Sequence, residues 1–199
     1  MFDQYRQFIG KYVDLDDYHW SMFTSRLKTA GHSKGEIIHH AGEVCRYLYF
    51  INKGIARAFI TDTEGRDYTW SIFFNDKNAQ MVNLFVVDYD SFINRSESKL
   101  SIEVIEDCEL VGFNADTLEM LYNMNKNAER FGRMMSQSAY SYIHNSIIDR
   151  KIKKAGERFE DLLRNYPYLL EKVPQYHIAT YLGITPQHLS RLKKEYKLT

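Results

Sequence analysis

Short runs of alternating apolar and polar residues fill the middle of the chain, between residues 35 and 113, and predict β-strands. An Asn-Lys-Gly sequence at 52–54 and an Asp-Thr-Glu-Gly sequence at 62–65 are typical of turns between such strands. The pattern therefore predicts a sandwich or barrel of short antiparallel strands. The predicted strands lie at 36–38, 47–51, 56–60, 68–74, 100–104 and 110–113.

Helical periodicity occupies both ends of the chain. Residues 3–30 are predicted to be helical, with Trp20, Phe23 and Leu27 on one face. Asn114 is a predicted N-cap for a long helix from about Asp116 to about residue 150, a stretch without proline.

Within that long helix, apolar and small residues recur at steps of three and four. This spacing is typical of a helix that pairs with another helix. It predicts the seam of a homodimer, with packing on the chain's own barrel as the alternative. The predicted seam residues are Phe131, Met135, Ser138 and Tyr142.

The pattern at residues 175–194 predicts two short helices joined by a sharp turn. Gly183 suits the left-handed conformation that such a turn needs, Thr185 offers an N-cap hydroxyl, and Pro186 falls at the first helical position. This is the pattern of a helix-turn-helix, whose second helix enters the DNA major groove. An ordinary helical hairpin is the alternative. Four leucine and isoleucine residues at helical spacing provide the predicted core between the helices: Ile178, Leu182, Leu189 and Leu192.

The net charge is zero, but it is unevenly distributed. Residues 1–146 hold 15 Lys and Arg against 20 Asp and Glu, whereas residues 147–199 hold 11 against 6. The basic part is the part with the predicted helix-turn-helix, as contact with phosphates requires. No run of eighteen apolar residues and no signal-peptide pattern is present, and two cysteines are too few for a disulfide framework. We therefore expect a cytoplasmic protein without a membrane partner.

The order of these elements, together with three short motifs, resembles the Crp/Fnr family of bacterial transcription regulators, most closely its branch common in Bacteroidetes-type bacteria. The motifs are Gly-Glu at 35–36 with Ala-Gly-Glu at 41–43, Tyr-Phe-Ile-Asn-Lys-Gly at 49–54 with Ala-Arg at 56–57, and Thr-Tyr-Leu-Gly-Ile-Thr at 180–185 with Leu-Ser-Arg at 189–191. The resemblance implies an α+β fold. A cyclic-nucleotide-binding-like β-barrel sensor domain with N-terminal helices is expected at 1–114, a long dimerisation helix at 115–148, and an all-α helix-turn-helix domain at 149–199. It also implies a homodimer that binds a double-stranded DNA operator, with RNA polymerase as a further partner.

The expected recognition helix spans about residues 185–195. Gln187, His188 and Arg191 are predicted to read bases, since glutamine suits adenine and arginine suits guanine in the major groove. A second set is predicted to contact phosphates. It consists of Gln175, Thr185, Ser190, Lys193 and Lys194.

The sequence departs from the cyclic-AMP-binding members of the family at the loop that cradles the nucleotide. Those members carry a Gly-Glu pair and then an Arg-Ser pair, whereas residues 73–104 here contain no glycine. Arg95-Ser96 lies about four residues before the aligned position, which Ser98 and Lys99 occupy. We therefore predict that the effector, if the protein has one, is neutral or apolar and not a cyclic nucleotide. Aromatic residues offer a pocket for it, with core packing as the alternative: Trp70, Phe73, Phe74 and Phe85.

No cofactor or metal is expected. An iron–sulfur cluster needs four cysteine ligands. Haem would need an axial ligand, for which His39, His40, Cys45 and His144 are the candidates. A cupin-like metal enzyme is disfavoured because adjacent residues such as His39 and His40 point to opposite faces of a strand. We predict that the protein is not an enzyme, with the cupin-like enzyme and a non-DNA ligand-binding or adaptor module as the alternatives.

Overall fold

The computed structural model describes residues 2–197, in which an antiparallel sheet is flanked by helices at both ends of the chain. The strands are β1 (Lys28–His32), β2 (Ile37–His39), β3 (Tyr47–Thr61), β4 (Asp67–Phe74), β5 (Phe85–Val86) and β6 (Ser101–Asn114). The helices are α1 (Asp3–Ile9), α2 (Asp17–Thr24), α3 (Tyr89–Asn94), α4 (Ala115–Met124), α5 (Lys126–Ile152), α6 (Ala155–Asn165), α7 (Leu169–Lys172), α8 (Gln175–Leu182) and α9 (Pro186–Glu195).

The two long strands, β3 and β6, form the centre of the sheet. Its order is β1-β6-β3-β4, with β2 added on β6 and β5 added on β3. The β3–β6 register runs from Tyr47 opposite Asn114 to Phe59 opposite Ser101, and it shifts between Ile51 and Ala56. Such irregularities bend and twist a strand. Each long strand therefore continues from one part of the curved sheet into the other, and we call this curved sheet the roll. The predicted α+β class with an antiparallel β-domain is confirmed.

Several element boundaries differ from the prediction. Residues 47–51 and 56–60 are one strand, and the predicted turn at 52–54 is an irregularity within it. Residues 100–104 and 110–113 likewise belong mainly to the single strand β6. The predicted N-terminal helical stretch ends at Thr24, and residues from Lys28 onward pair with β6. Strand β1 is short and largely exposed. Its sequence therefore lacks the alternation of apolar and polar residues that identifies a half-buried strand.

Gly54 is the residue that permits β3 to continue through this irregularity. Its φ is +97°, and an added Cβ would lie 2.3 Å from the Asp107 carbonyl oxygen and 2.8 Å from the Cys108 Cα. Gly65, in the β3–β4 turn, has a similar φ of +78°, but nothing lies within 4 Å of its added Cβ. Substitution of Gly65 by alanine therefore adds backbone strain alone, whereas substitution of Gly54 adds both backbone strain and steric overlap.

We expect Gly54→Ala to lower the free energy of unfolding by more than about 2 kcal/mol, because a positive φ costs a side chain about 1–2 kcal/mol and the backbone overlap adds to it. Gly65→Ala should show only the strain, about 1 kcal/mol. Urea unfolding of both variants measures the difference. Equal losses would mean that β3 can move away from β6 at Gly54 without cost.

Three hydrophobic clusters connect the parts of the chain. The first packs α1, α2, α4 and α5 against the sheet, with Tyr5, Phe23, Phe50 and Phe113 at its centre. The second fills the interior of the roll. The third joins β3, β4 and β6 to the helices from α6 onward, including Phe74 and Phe159. The C-terminal helices therefore pack directly on the sheet.

The helix predicted from about Asp116 to residue 150 is in fact two helices, and this part of the prediction is wrong. The break is at Asn125, which has φ −143° and ψ 112°. Its side-chain oxygen accepts hydrogen bonds from the backbone amides of Asn127 and Ala128, at 2.9 and 3.1 Å. Asn125 thus caps α5 as Asn114 caps α4, because an asparagine that satisfies free amides favours a helix start.

Candidate functional site

The residues at 175–194 form a helix-turn-helix. Gly183 ends α8 in the left-handed conformation, with φ 67°. Thr185 caps α9 by accepting a hydrogen bond from the His188 amide at 3.2 Å, and Pro186 is the first residue of that helix. These local predictions are confirmed. The predicted core residues are all buried, together with Ala179 between the helices: Ile178, Leu182, Leu189 and Leu192.

The structure brings four of the eight predicted DNA-contact residues onto one face of α9. Gln187, Ser190, Arg191 and Lys194 are exposed, and their spacing of three and four places them on a single face. This face lies opposite the buried Leu189 and Leu192. We name the four exposed residues the recognition face.

The remaining predicted contacts lie around this face. His188 and Lys193 are half-buried at its flanks, and Thr185 is exposed at the N-cap. Gln175 is exposed, but it belongs to the first turn of α8 and not to α9.

The electrostatics of α9 suit contact with phosphates. None of the ion pairs found among residues 2–197 involves Arg191, Lys193 or Lys194. Their charges are therefore free for a ligand. The N-terminus of α9, with the partial positive charge of a helix end, lies at the same end as Gln187.

Helix α8 is held against strand β4 of the sheet. The Thr180 hydroxyl lies 2.9 Å from the Thr69 hydroxyl and accepts a hydrogen bond from the Thr69 amide at 3.2 Å. The Tyr176 hydroxyl donates to the Asp67 carbonyl at 3.3 Å. These contacts were not predicted, since two threonines 111 positions apart carry no pattern that links them.

A buried arginine lies beneath this contact. Arg57 is 2% exposed and pairs with Glu103 at 2.7 Å and Asp67 at 3.0 Å. Its guanidinium lies over the Phe59 ring, 4.1 Å from the centroid. Burial, and then the Arg57 charge, hold the pKa of His177 on α8 below its usual value.

A cavity of about 380 Å³ lies between the roll and α5. Three of the four predicted pocket residues, Trp70, Phe73 and Phe85, line it. The inclusion of Phe74 is wrong, because this side chain points the other way and packs on Tyr166 and Tyr168, with ring centroids 5.2 and 5.6 Å apart. Adjacent residues on a strand face opposite sides, so Phe73 and Phe74 do not share one pocket. Helix α5 closes the cavity with Met135, Ala139, Tyr142 and Ile143.

The charged residues around this barrel cavity are mainly acidic. Asp88, Asp90 and Glu97 line it against a single lysine, Lys99. Arg95 pairs instead with two carboxylates of α4, Asp116 at 2.7 Å and Glu119 at 3.3 Å. Ser98, at the position aligned with the family's arginine, donates to Asp88 at 2.6 Å. The cavity therefore lacks a fixed guanidinium for a phosphate.

The predicted dimer seam requires a correction, because three of its four residues pack on their own chain. Phe131 is buried in the N-terminal cluster, and Met135 packs against that cluster. The Tyr142 hydroxyl lies 2.9 Å from the Tyr181 hydroxyl of α8. Only Ser138 is exposed. The periodicity thus marks the face of α5 that packs on the chain's own N-terminal helices, β-domain and α8.

The residues considered as metal or haem ligands are scattered. His39 and Cys45 are buried, whereas His40 and His144 are exposed. Burial raises the pKa of Cys45 to about 11 and that of Cys108 to about 12, so both thiols stay protonated at neutral pH. Within the described part of the chain, no three His, Cys, Asp or Glu side chains cluster as metal ligands would.

No helix among residues 2–197 has the length and apolar character needed to span a membrane.

Comparison with known proteins agrees with this architecture. The family described as "Cyclic nucleotide-binding domain" matches residues 32–125. FixK2 from Bradyrhizobium japonicum is 17% identical, with a TM-score of 0.72 over 86% of this chain and 84% of that one. A protein from Eubacterium rectale assigned to the Crp/Fnr family is 19% identical, with a TM-score of 0.68 over 93% and 85%.

A third similar structure is CLP from Xanthomonas campestris, described as a c-di-GMP responsive global regulator. It is 15% identical, with a TM-score of 0.66 over 92% of both chains. No curated protein sequence matches the chain. Residues 32–125 thus match the cyclic nucleotide-binding domain family, and the chain shares its fold with FixK2 and with the Crp/Fnr-family protein from Eubacterium rectale.

Proposed function

We propose that this protein is a dimeric transcription regulator that binds specific DNA sequences through α9. The observation that carries the proposal is the recognition face, which presents an amide, a hydroxyl and two unpaired cations on one exposed helix side. A helix-turn-helix presents this side to the major groove.

The residues of the recognition face divide into two that read bases and two that contact phosphates. Arg191 donates two hydrogen bonds to a guanine edge, and Gln187 pairs with adenine. Ser190 and Lys194 contact phosphates, with Thr185 and Gln175 as outer phosphate contacts. His188 and Lys193 are half-buried at the flanks of α9. From there His188 reads a base and Lys193 contacts a phosphate.

The dimer seam is proposed to lie on the outer side of α5. The exposed residues here follow the alternating steps of four and three that pair two helices. Met134 is 37% exposed, Ile148 is 40% exposed and Ile152 is 71% exposed, so this side of α5 leaves apolar surface in contact with solvent. A polar residue at one seam position fixes register in paired helices, and Asn145 occupies such a position. We name this set the outer stripe: Met134, Ser138, Ser141, Asn145, Ile148 and Ile152.

Titration of labelled duplex DNA, followed by fluorescence anisotropy at several salt concentrations, tests DNA binding. The affinity should fall steeply with salt, because phosphate contacts release counterions. Binding that is weak at low salt and insensitive to salt would favour the ligand-binding or adaptor alternative. Two of the structural relatives are described as regulators, and no observation favours the cupin-like enzyme. RNA polymerase is the partner that a promoter-bound regulator would contact.

We expect neither cyclic AMP nor cyclic GMP to bind at micromolar concentration. Moving the phosphate into the barrel cavity costs its hydration, and Asp88, Asp90 and Glu97 repel it where Lys99 alone attracts it. A neutral or apolar effector fits the aromatic lining better. Titration calorimetry with each nucleotide is the measurement. Saturable micromolar binding that Lys99→Ala abolishes would contradict this account of the cavity.

A further inference from the structure

A second cavity, of about 350 Å³, lies between the sensor domain and the C-terminal helices. Its walls come from β4, α5, α6 and α8. It adjoins the barrel cavity and shares four lining residues with it, Trp70, Ser71, Tyr142 and Ile143, but its charged end, formed by α5 and α6, is separate. Pockets of roughly 300–1,000 Å³ at such domain interfaces are the usual sites of small ligands. We name this space the interdomain cleft.

The cleft has a polar end with one available cation. Lys153 is held between Asp149 and Asp161, at 2.7 and 2.8 Å. Arg158 donates to the carbonyl oxygens of Leu182 and Lys153. Arg150 has no carboxylate partner among residues 2–197, and its guanidinium lies 5.9 Å from the centroid of the Trp70 ring. A guanidinium in this position is free to form a paired hydrogen bond with an anion.

The other walls of the cleft combine aromatic and aliphatic side chains with four polar ones, Ser71, Gln80, Ser146 and Asn165. Trp70 is 39% exposed, and its indole lines the cleft together with the rings of Tyr166 and Tyr181. Ile143 and Ile147 of α5 also line it, although they are exposed to solvent. These two isoleucines lie away from the outer stripe, so pairing of α5 helices does not account for them. An aromatic ring placed between them and Trp70 would cover all three.

The charged side chains that line the two cavities differ in their balance of positive and negative charge. The cleft is lined by three cationic side chains, Arg150, Lys153 and Arg158, against the two carboxylates that hold Lys153. The barrel cavity has three carboxylates against one lysine. An anion is therefore favoured in the cleft and disfavoured in the barrel.

We propose that the interdomain cleft binds a small aromatic carboxylate, with its ring between Trp70 and Ile147 and its carboxylate on the Arg150 guanidinium. Such a ligand would contact the sensor domain, α5 and α8 at once. The proposal goes beyond DNA binding and does not depend on it, since the cleft is formed within one chain.

Titration calorimetry of the full chain with 2-naphthoate, and with the neutral 2-naphthamide as its counterpart, tests the proposal. We expect saturable 1:1 binding of the carboxylate, at least tenfold tighter than that of the amide. Arg150→Gln should weaken naphthoate binding at least tenfold, whereas Lys151→Gln, the same loss of charge on the next residue, should leave it unchanged. Ile147→Glu should repel the ligand, and Ile147→Gln controls for shape.

Three results would overturn the proposal. The first is no saturable heat with naphthoate in the millimolar range, and the second is equal binding of acid and amide. The third is binding that survives both Arg150→Gln and Ile147→Glu but is lost in Lys99→Gln, which would place the acid in the barrel cavity. Thermal melting of each variant shows that it is folded, as expected for exposed positions.

Discussion

Replacing Ile148 by glutamate is expected to convert the protein to a monomer. Ile148 lies near the C-terminal end of the outer stripe, between Asn145 and Ile152. In the proposed dimer the new carboxylate would face its copy on the partner helix, and two buried, unpaired charges are strongly destabilising. Sedimentation velocity measures the change directly.

The monomer should also bind operator DNA at least about 100-fold more weakly, because linking two DNA-binding units raises overall affinity by roughly 10²–10⁴. Tyr140→Glu is the matched control. Tyr140 is also a large side chain exposed on α5, 70% against 40% for Ile148, but it lies about a third of a turn from the outer stripe and should leave the dimer intact. If the two variants sediment alike, the seam is not on this stripe.

The second large effect is expected at Arg191. Arg191→Ala should abolish discrimination at one base position of each half-site, since a lost bidentate guanine contact costs about 1–3 kcal/mol. Because Arg191 is exposed and makes no ion pair among the described residues, the fold should be unaffected. Competition binding with single-base variants of the operator measures the loss of specificity.

Lys194→Ala provides the contrast to Arg191→Ala. It removes one cation from the same recognition face, but one assigned to a phosphate. All sequences should then bind more weakly by a similar factor, and the salt dependence should decrease by about one phosphate contact. If Arg191→Ala instead weakens the binding of all sequences by a similar factor, Arg191 contacts a phosphate and does not read a base.

The helix-turn-helix was predictable because its signals are local. Gly183, Thr185 and Pro186 each determine the conformation of their own backbone, and the structure shows each in its expected role. The break at Asn125 depends on a signal of the same kind, a side chain that caps free amides. The sequence therefore contained this signal, but the apolar periodicity on both sides of Asn125 favoured one continuous helix.

The position of the proposed dimer seam was not predictable from periodicity alone, because α5 carries two apolar stripes. Phe131 and Tyr142 mark the stripe that meets the chain's own core and α8, and Met134 and Ile148 mark the exposed one. The spacing is alike for both stripes, and only tertiary contacts show which one is already covered. The docking of Thr180 on Thr69 and the free guanidinium of Arg150 depend on the same kind of long-range contact.

Selection of bound sequences from a pool of randomised duplex DNA tests the central claim most directly. A dimer that reads DNA through α9 should enrich an inverted repeat whose half-sites are centred about one helical turn, 34–36 Å, apart or a multiple of it. Arg191→Ala should enrich the same spacing with one position of each half-site degenerate. Recovery of random sequences by the unmodified protein, at salt concentrations where it binds DNA, would contradict sequence-specific recognition by α9.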